Sequence, residues 1–355
     1  MSGKEISHID EYIKNITQIV AARKTKNNIV LYRGENQIYP TSCVPNVFRE
    51  NYLKNYAFFE KNIFDEMKAN NLSKGNSYLE NAISAQHDGF PSRLLDVTYN
   101  SLVALYFACT PYYRKKEAEY DNKDGKVIVF FIDKVFCPTG DNITNNYNDL
   151  ILGKSEFINH SVFAKNHKLI DHIKINNRII AQQGAFIMFQ GKEFEHLPQY
   201  MYEELLIPKG SKSTLRKELK DLFGIHTGTI YPESENLIDE IKQKTLNVEN
   251  CEYNLKSEFD LLLYNLECEI KYYLALIFNS KRMYMDYIKE FEKVLRSYQL
   301  GISEIKFSDS KDNTETVDAA IKRYNELVQI SFSDIDVFFK GKIVTSVDYY
   351  LIKEV

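Results

Sequence analysis

Ser84-Ala-Gln-His-Asp-Gly-Phe-Pro-Ser-Arg-Leu-Leu-Asp-Val-Thr98 is the passage on which the fold turns. A helical pattern runs into it from Asn76 to Ala85, and Ser101 to Cys109 follows as a helix with almost no polar surface. Gly89 and Pro91 force a loop between them. Gln86, His87, Arg93 and Asp96 crowd that break. His87 could orient a ribose hydroxyl, and Asp96 could anchor Arg93 or His87. The plainer alternative is that Arg93 and Asp96 pair only to brace the loop. Asp96 stands in an apolar Leu-Leu-Asp-Val setting, so it is expected to be partly buried. It then needs a partner in Arg93, His87 or a backbone amide.

Upstream, Asn28-Ile-Val-Leu-Tyr32 is a short β-branched run ending at Arg33-Gly34, which predicts a strand and a turn. Downstream, Lys126 to Ile132, the end of Arg178 to Phe189, and Tyr202 to Ile207 have the same short apolar character. The strands holding Val30, Ile128, Phe186 and Leu206 are expected to share one mixed or antiparallel β-core. Tyr52 to Asn70 has helical spacing through Tyr56, Phe59, Ile63 and Met67. Ser213 to Phe223 is a helix with Gly224 just past its end. The segment 136–174 is polar and has no clear period. The fold class is α+β.

At the N-terminus, Ile6, Ile9, Ile13, Ile16 and Val20 recur at helical spacing, with Ser7 and Asp10 as a capping arrangement. Lys4, Asp10, Glu11 and Lys14 interrupt what a signal peptide would need. No apolar run approaches the roughly 20 residues of a membrane span. A cytoplasmic protein with no membrane partner is expected. From about Glu252, apolar residues keep helical spacing through Ile277, and Met283 to Tyr298 and Thr314 to Val328 form two further helices. Asp334 to Leu351 is expected as a short hairpin or strand pair. The organisation is an amphipathic helix over 1–27, an α+β domain over 28–244 and a helical C-terminal region over 245–355.

Composition narrows the function classes. The chain has 25 Tyr and 22 Phe against 14 Gly and 8 Pro, which excludes disorder as its main state. Lys plus Arg is 45 and Asp plus Glu is 49, so a net charge of -4 argues against broad capture of nucleic acid. Lys209, Lys212, Arg216, Lys217 and Lys220 could form a local basic patch or a solvated helix face. Five widely spaced cysteines have no CxxC pair, and the histidines show no HExxH, so no metal site is expected. GxGxxG after a strand, GxxxxGK[ST] and GxSxG are all absent, which disfavours Rossmann, P-loop and α/β-hydrolase chemistry.

Two further positions could carry chemistry. Arg33, at a strand end beside Gly34, can present its guanidinium to a phosphate or to a carboxylate, or serve in a structural salt bridge. Gly34 could let a ligand approach the backbone. Glu203 and Glu204 are adjacent on a strand and must face opposite ways, so one of them can face the interior or a cleft.

These pieces match a family. Leu31-Tyr-Arg-Gly34, Pro45-Asn-Val-Phe-Arg49, Ala85-Gln-His-Asp-Gly-Phe-Pro-Ser-Arg-Leu-Leu-Asp-Val-Thr98 with Ala104-Leu-Tyr-Phe-Ala108, and later Arg178-Ile-Ile-Ala-Gln-Gln-Gly-Ala-Phe186 resemble the FRG-domain proteins over 28–244. A weaker resemblance links Tyr32-Arg33-Gly34 and Glu204-Leu-Leu-Ile-Pro208 to ADP-ribosyltransferases of the Arg-Ser-Glu class. That resemblance implies an ADP-ribosyltransferase-like core with NAD as a possible substrate. Glu204 would be catalytic, and Arg33, Gly34, Gln86, His87, Arg93 and Asp96 would bind the cofactor. It further implies ADP-ribosyl transfer or NAD cleavage by a bacterial or phage-related effector, a toxin or a phage-defence protein. The acceptor would be a protein or nucleic acid, a small molecule or water, with protein contacts through the C-terminal helices. Tyr202 stands where transferases that modify arginine carry Glu or Gln, and a Ser-x-Ser strand is not evident. The alternative is a non-catalytic FRG module that binds a nucleotide or a partner.

Overall fold

The computed structural model describes residues 6–50, 52–56, 58–73, 75–111, 119–134, 140–155, 160–171, 174, 176–233, 238, 241–242, 245–246, 254–280, 283–308, 314–342 and 346–353. The chain divides into two compact units, 1–245 and 246–355.

In the first unit the β-branched and aromatic runs form six strands. These are β1 (Asn28–Glu35), β2 (Leu94–Thr98), β3 (Gly125–Asp133), β4 (Lys168–Ile170), β5 (Gly184–Met188) and β6 (Tyr202–Ile207). They make one sheet in the order β4-β5-β2-β1-β3-β6, and every pair is antiparallel. The four expected strands therefore lie in a single antiparallel sheet. β3 sits between β1 and β6, and Val127 to Phe130 are fully buried, as its unbroken apolar run requires.

Ten helices surround the sheet among the described residues: α1 (Ile9–Arg23), α2 (Asn46–Arg49), α3 (Tyr52–Asn55), α4 (Phe59–Ala69), α5 (Tyr78–Asp88), α6 (Ser101–Cys109), α7 (Gly140–Ile151), α8 (Asn177–Ala181), α9 (Lys212–Phe223) and α10 (Thr227–Ile230). The apolar stripe of α1 runs through Ile9, Tyr12 and Ile16, and Ile13 is turned out to solvent. Its start is closed by Glu11, whose carboxylate accepts from the Ser7 and His8 amides, so Asp10 takes no part in the cap. The helix expected to stop at Ala85 runs on to Asp88 and ends at Gly89, whose φ of 81° is left-handed. The break is thus only Gly89 to Arg93. The segment without clear period holds α7 and β4; the four buried residues Ile143, Tyr147, Leu150 and Ile151 lie among Asn and Asp, which dilutes the pattern.

α6 is apolar on all sides because it is enclosed by the sheet, α1 and α9. Its start is fixed by Asn100, whose side-chain oxygen accepts from the Leu102 amide at 2.9 Å. It crosses β1 and β3 so closely that a β-carbon on Gly34 would stand 1.8 Å from the Ala104 carbonyl oxygen. One on Gly125 would stand 2.2 Å from the Ala108 carbonyl oxygen. Small residues face each other at both crossings. Gly34 is therefore required by helix packing, and the space beside its α-carbon is filled by protein.

Among its described residues the second unit has three long helices, α11 (Leu255–Asn279), α12 (Tyr284–Ser308) and α13 (Thr314–Phe339). Phe259, Leu266, Ile270, Phe291, Leu295, Tyr324 and Phe332 are among its core. The Tyr324 hydroxyl donates to the carbonyls of Leu295 and Tyr350. Among the described residues of Asp334 to Leu351 no hairpin or strand pair forms. α13 continues unbroken through it to Phe339, because Val328, Phe332 and Ile335 keep the buried helical period, and a single 3₁₀ turn follows at Val347–Tyr349.

Replacing Gly34 by Ala is expected to lower stability by about 1–3 kcal/mol, since helix or strand backbone must move to admit the methyl group. Gly210→Ala is the control, because open space surrounds that position. Urea unfolding of both variants checks this; equal midpoints would contradict the close crossing.

Candidate functional site

β1 and β3 pair over the whole of β1, and β2 pairs with β5 along its full length. Between β1 and β2, however, the only register pair among the described residues is Tyr32 with Thr98. Continued in register, Gly34 would face Asp96; instead the strands part. The Arg33 guanidinium spans the gap, donating from Nη1 to the Asp96 carbonyl at 2.8 Å. Its Nε donates to Glu35 Oε1 at 3.3 Å. Glu35 is 5% exposed and also accepts from the Ser42 hydroxyl at 2.8 Å and the Cys43 amide at 3.2 Å. The charge on Glu35 thus holds both Arg33 and the loop after β1. Desolvation works against the Arg33 charge, and Glu35, Cys43 and Asp96 outweigh it, so its pKa lies above the ordinary value. Cys43 adopts a φ of 56° here, and burial pushes its thiol up to about 11, so it is no thiolate nucleophile at neutral pH.

Asp96 is open to solvent, while Leu94, Leu95, Val97 and Thr98 on the same strand are each no more than 4% exposed. Desolvation by the surrounding protein nonetheless raises its carboxyl above the ordinary value, against the pull of Arg33, its own amide, Arg49 and Arg178. Arg49 is exposed, and its Nε donates to the Val44 carbonyl at 3.0 Å. Desolvation first, and Arg33 second, lower its pKa. Arg178 lies with its guanidinium 5.1 Å from the centre of the Tyr231 ring, and its Nε donates to Glu233 at 2.7 Å.

Arg93 does not meet Asp96. The two are three apart on an extended segment and so face opposite ways. Arg93 is 3% exposed, and its Nε and Nη2 hold Glu60 Oε2 at 2.7 and 2.5 Å. Its amide donates to Glu60 Oε1 at 2.9 Å, and its Nη1 reaches the carbonyls of Phe189 and Gly191. It is a buried ion pair tying α4 to the start of β2. Gln86 donates from Nε2 to the Leu94 carbonyl, a second brace at the same strand end. The side chain of His87 lies outside the described residues.

Glu204 pairs with Ile128, which pairs with Arg33, so the three stand in one cross-strand row on one face. Glu204 is held by Lys126, Nζ to Oε1 at 2.7 Å. Glu203 points the other way, where Arg23 of α1 donates to it at 2.6 Å. Of the basic cluster, Lys212 is fully buried and donates to the carbonyls of Asn36 and Tyr120. Arg216 pairs with Asp121 through both terminal nitrogens. Two of its five cations are thus structural.

Arg33 is thus bonded to Glu35 and to the Asp96 carbonyl, while Glu204, held by Lys126, stands two strands away on the Arg33 face; the sequence did not assign Glu35, Arg49, Lys126 or Arg178. Arg49 and Arg178 stood inside the quoted motif segments. Glu35 stood two residues from Arg33, hence on its face.

The family model of the FRG domain matches residues 28–117, from β1 past the end of α6. This chain carries an FRG domain. The aromatic-Arg-Gly and Gln-His-Asp-Gly-Phe-Pro-Ser-Arg-Leu-Leu-Asp motifs both fall inside it, while Glu204 and Arg178 lie beyond its matched residues. Comparison with curated proteins and with solved structures gives no match.

The FRG-domain motif thus divides into braces and open groups. Glu60→Leu strands the Arg93 charge in the interior and is expected to cost about 3–5 kcal/mol. Asp96→Asn keeps the carbonyl that Arg33 holds and should change stability by no more than about 0.5 kcal/mol. Denaturant unfolding of the two variants checks the assignment; a large loss for Asp96→Asn would make Asp96 a brace as well.

Proposed function

We propose that this FRG-domain protein cleaves the bond between nicotinamide and ribose in NAD and passes ADP-ribose to a protein, a nucleic acid, a small molecule or water. The observation that supports this is the row Arg33, Ile128, Glu204 on one face of β1, β3 and β6. The outer two are two strands apart, about 9.5 Å at the backbone. Side chains of that length can meet the diphosphate and the nicotinamide ribose of one dinucleotide. Arg33 would contribute Nη2 to the diphosphate while Nη1 and Nε stay on Asp96 and Glu35. Glu204 keeps Oε1 on Lys126 and would accept from a ribose hydroxyl with Oε2. Its charge would stabilise the sugar cation as nicotinamide leaves with the bonding electrons. The acceptor then adds to the anomeric carbon and loses its proton. In this proposal the C-terminal helical unit carries contacts to a protein partner.

A second reading has its own support. Arg93 and Gln86 are committed to internal bonds, and Glu204 is already paired, which suits a module that binds a nucleotide or partner without chemistry.

Release of nicotinamide from NAD by the purified chain, followed chromatographically, separates the two. Glu204→Gln is expected to slow release ~10²–10³-fold with binding kept. Arg33→Lys should weaken NAD binding, because an ammonium cannot reproduce the planar fork. Glu203→Gln, on the Arg23 side, should leave both unchanged. No release by the wild type with a broad set of acceptors would favour the binding module, and a slow Glu203→Gln would invert the assignment of faces.

A further inference from the structure

A helix on the outside of a bundle ordinarily buries one apolar stripe and turns a polar face to solvent. α11 departs from this. Its core stripe is Phe259, Leu266, Ile270 and Ile277. On the opposite side of the helix runs a second stripe, Leu261, Tyr264, Cys268, Tyr272 and Ala275, and every member of it is exposed. Leu261 is 56%, Tyr264 64% and Tyr272 61% exposed. The steps of three, four, four and three residues average about 3.5, the period of a helix that packs lengthwise on another helix. The edges of this stripe are set by the neighbouring helices. On one edge the Tyr298 hydroxyl of α12 donates to Glu269, and on the other Arg323 of α13 approaches Glu267. On the α12 edge a cavity of about 380 Å³ opens, with Leu261, Leu262, Asn265, Tyr298 and Ile305 in its walls.

Three features fit this face to a second copy of itself. The stripe is symmetric about Cys268, with Tyr264 and Tyr272 four residues to either side and Leu261 and Ala275 seven. A two-fold axis at Cys268 makes two such helices antiparallel and sets Leu261 of one against the small Ala275 of the other. The same axis carries Tyr272 of one copy to the level of Tyr264 of the other, on the α12 edge, where the cavity beside Leu261 and Asn265 receives its ring. Charge agrees as well. Lys271 bonds Glu267 at 2.8 Å on the α13 edge, and the axis brings Lys271 of one copy to within about 3 Å, measured along the helix, of the level of Glu267 of the other. A foreign partner would not require the stripe to read alike in both directions. We propose that α11 is a homodimerisation surface, pairing antiparallel with α11 of a second copy about a two-fold axis at Cys268. At an axis separation of about 10 Å, two α-carbons on the seam stand about 5 Å apart, within reach of a disulfide. This pairing stands apart from the NAD reading, which concerns the first unit, and it names a second copy as the protein that the C-terminal unit contacts.

Sedimentation equilibrium of the full chain, up to about 0.1 mM, should show a reversible dimer. Leu261→Glu and Tyr272→Glu each put a carboxylate into the seam and should weaken it at least about tenfold, with the circular dichroism spectrum unchanged. Leu300→Glu, at an exposed position of α12 outside the walls of the cavity, should leave the dimer intact. Direction is read by mixing Leu261→Cys chains with Ala275→Cys chains and oxidising with diamide, which takes up the two hydrogens released as each disulfide forms. Peptide mapping should find links between positions 261 and 275 and between the two Cys268 thiols, and none between two positions 261. A chain that stays monomeric leaves the stripe to a different protein and overturns the proposal. So does a dimer indifferent to both seam substitutions, an equal loss with Leu300→Glu, or a link between two positions 261, which a parallel pair would give.

Discussion

The sheet is continuous across its middle through one backbone pair and one guanidinium. Among the described residues, the Arg33 bond to the Asp96 carbonyl supplements the single register pair, Tyr32 with Thr98, between the strand sets β4-β5-β2 and β1-β3-β6. A side chain here replaces ladder hydrogen bonds, and Glu35 holds that side chain straight. The cost of this arrangement is a partly desolvated arginine.

Much of this was legible in the sequence because it follows from parity. Adjacent strand residues face opposite ways, so Glu203 and Glu204 had to divide between the two faces. The pairing through β3 puts Glu204, not Glu203, with Arg33. The four strands and the long C-terminal helices were readable from their period. What failed to show was the partner of each charge. Arg93 and Asp96 are neighbours in the chain beside a short loop, which invited a bond. Yet Arg93 lies in the interior with Glu60, which comes from a helix more than thirty residues earlier. No local rule connects those positions. Gly34 is similar: its neighbour is α6, and only the three-dimensional crossing shows that a methyl group cannot fit.

The FRG-domain motif therefore carries two kinds of information. Gln86, Arg93, Gly34 and the Ala104 to Ala108 pair hold helices to strands at close range. Arg33 bonds the Asp96 carbonyl, and the Asp96 and Arg49 side chains are exposed. The residues that give the motif its recognisable density are mostly structural, and the sparse ones face solvent.

The first helix has a consequence for how the molecule is made. The Ile9 amide and His8 bond Glu218, 210 positions beyond His8, and Arg23 holds the carbonyls of Tyr200 and Tyr202. On a ribosome adding about 5–20 residues per second, α1 waits on the order of ten to forty seconds before those partners exist. Through that interval the face of Ile9, Tyr12 and Ile16 has no sheet to cover it, while β1 emerges long before β3 and β6 can pair beside it. Closure of the first unit is thus a late event, dependent on the last third of its own chain. A nascent polypeptide of this design would rely on its neighbours in the cell to shield an apolar helix until synthesis catches up.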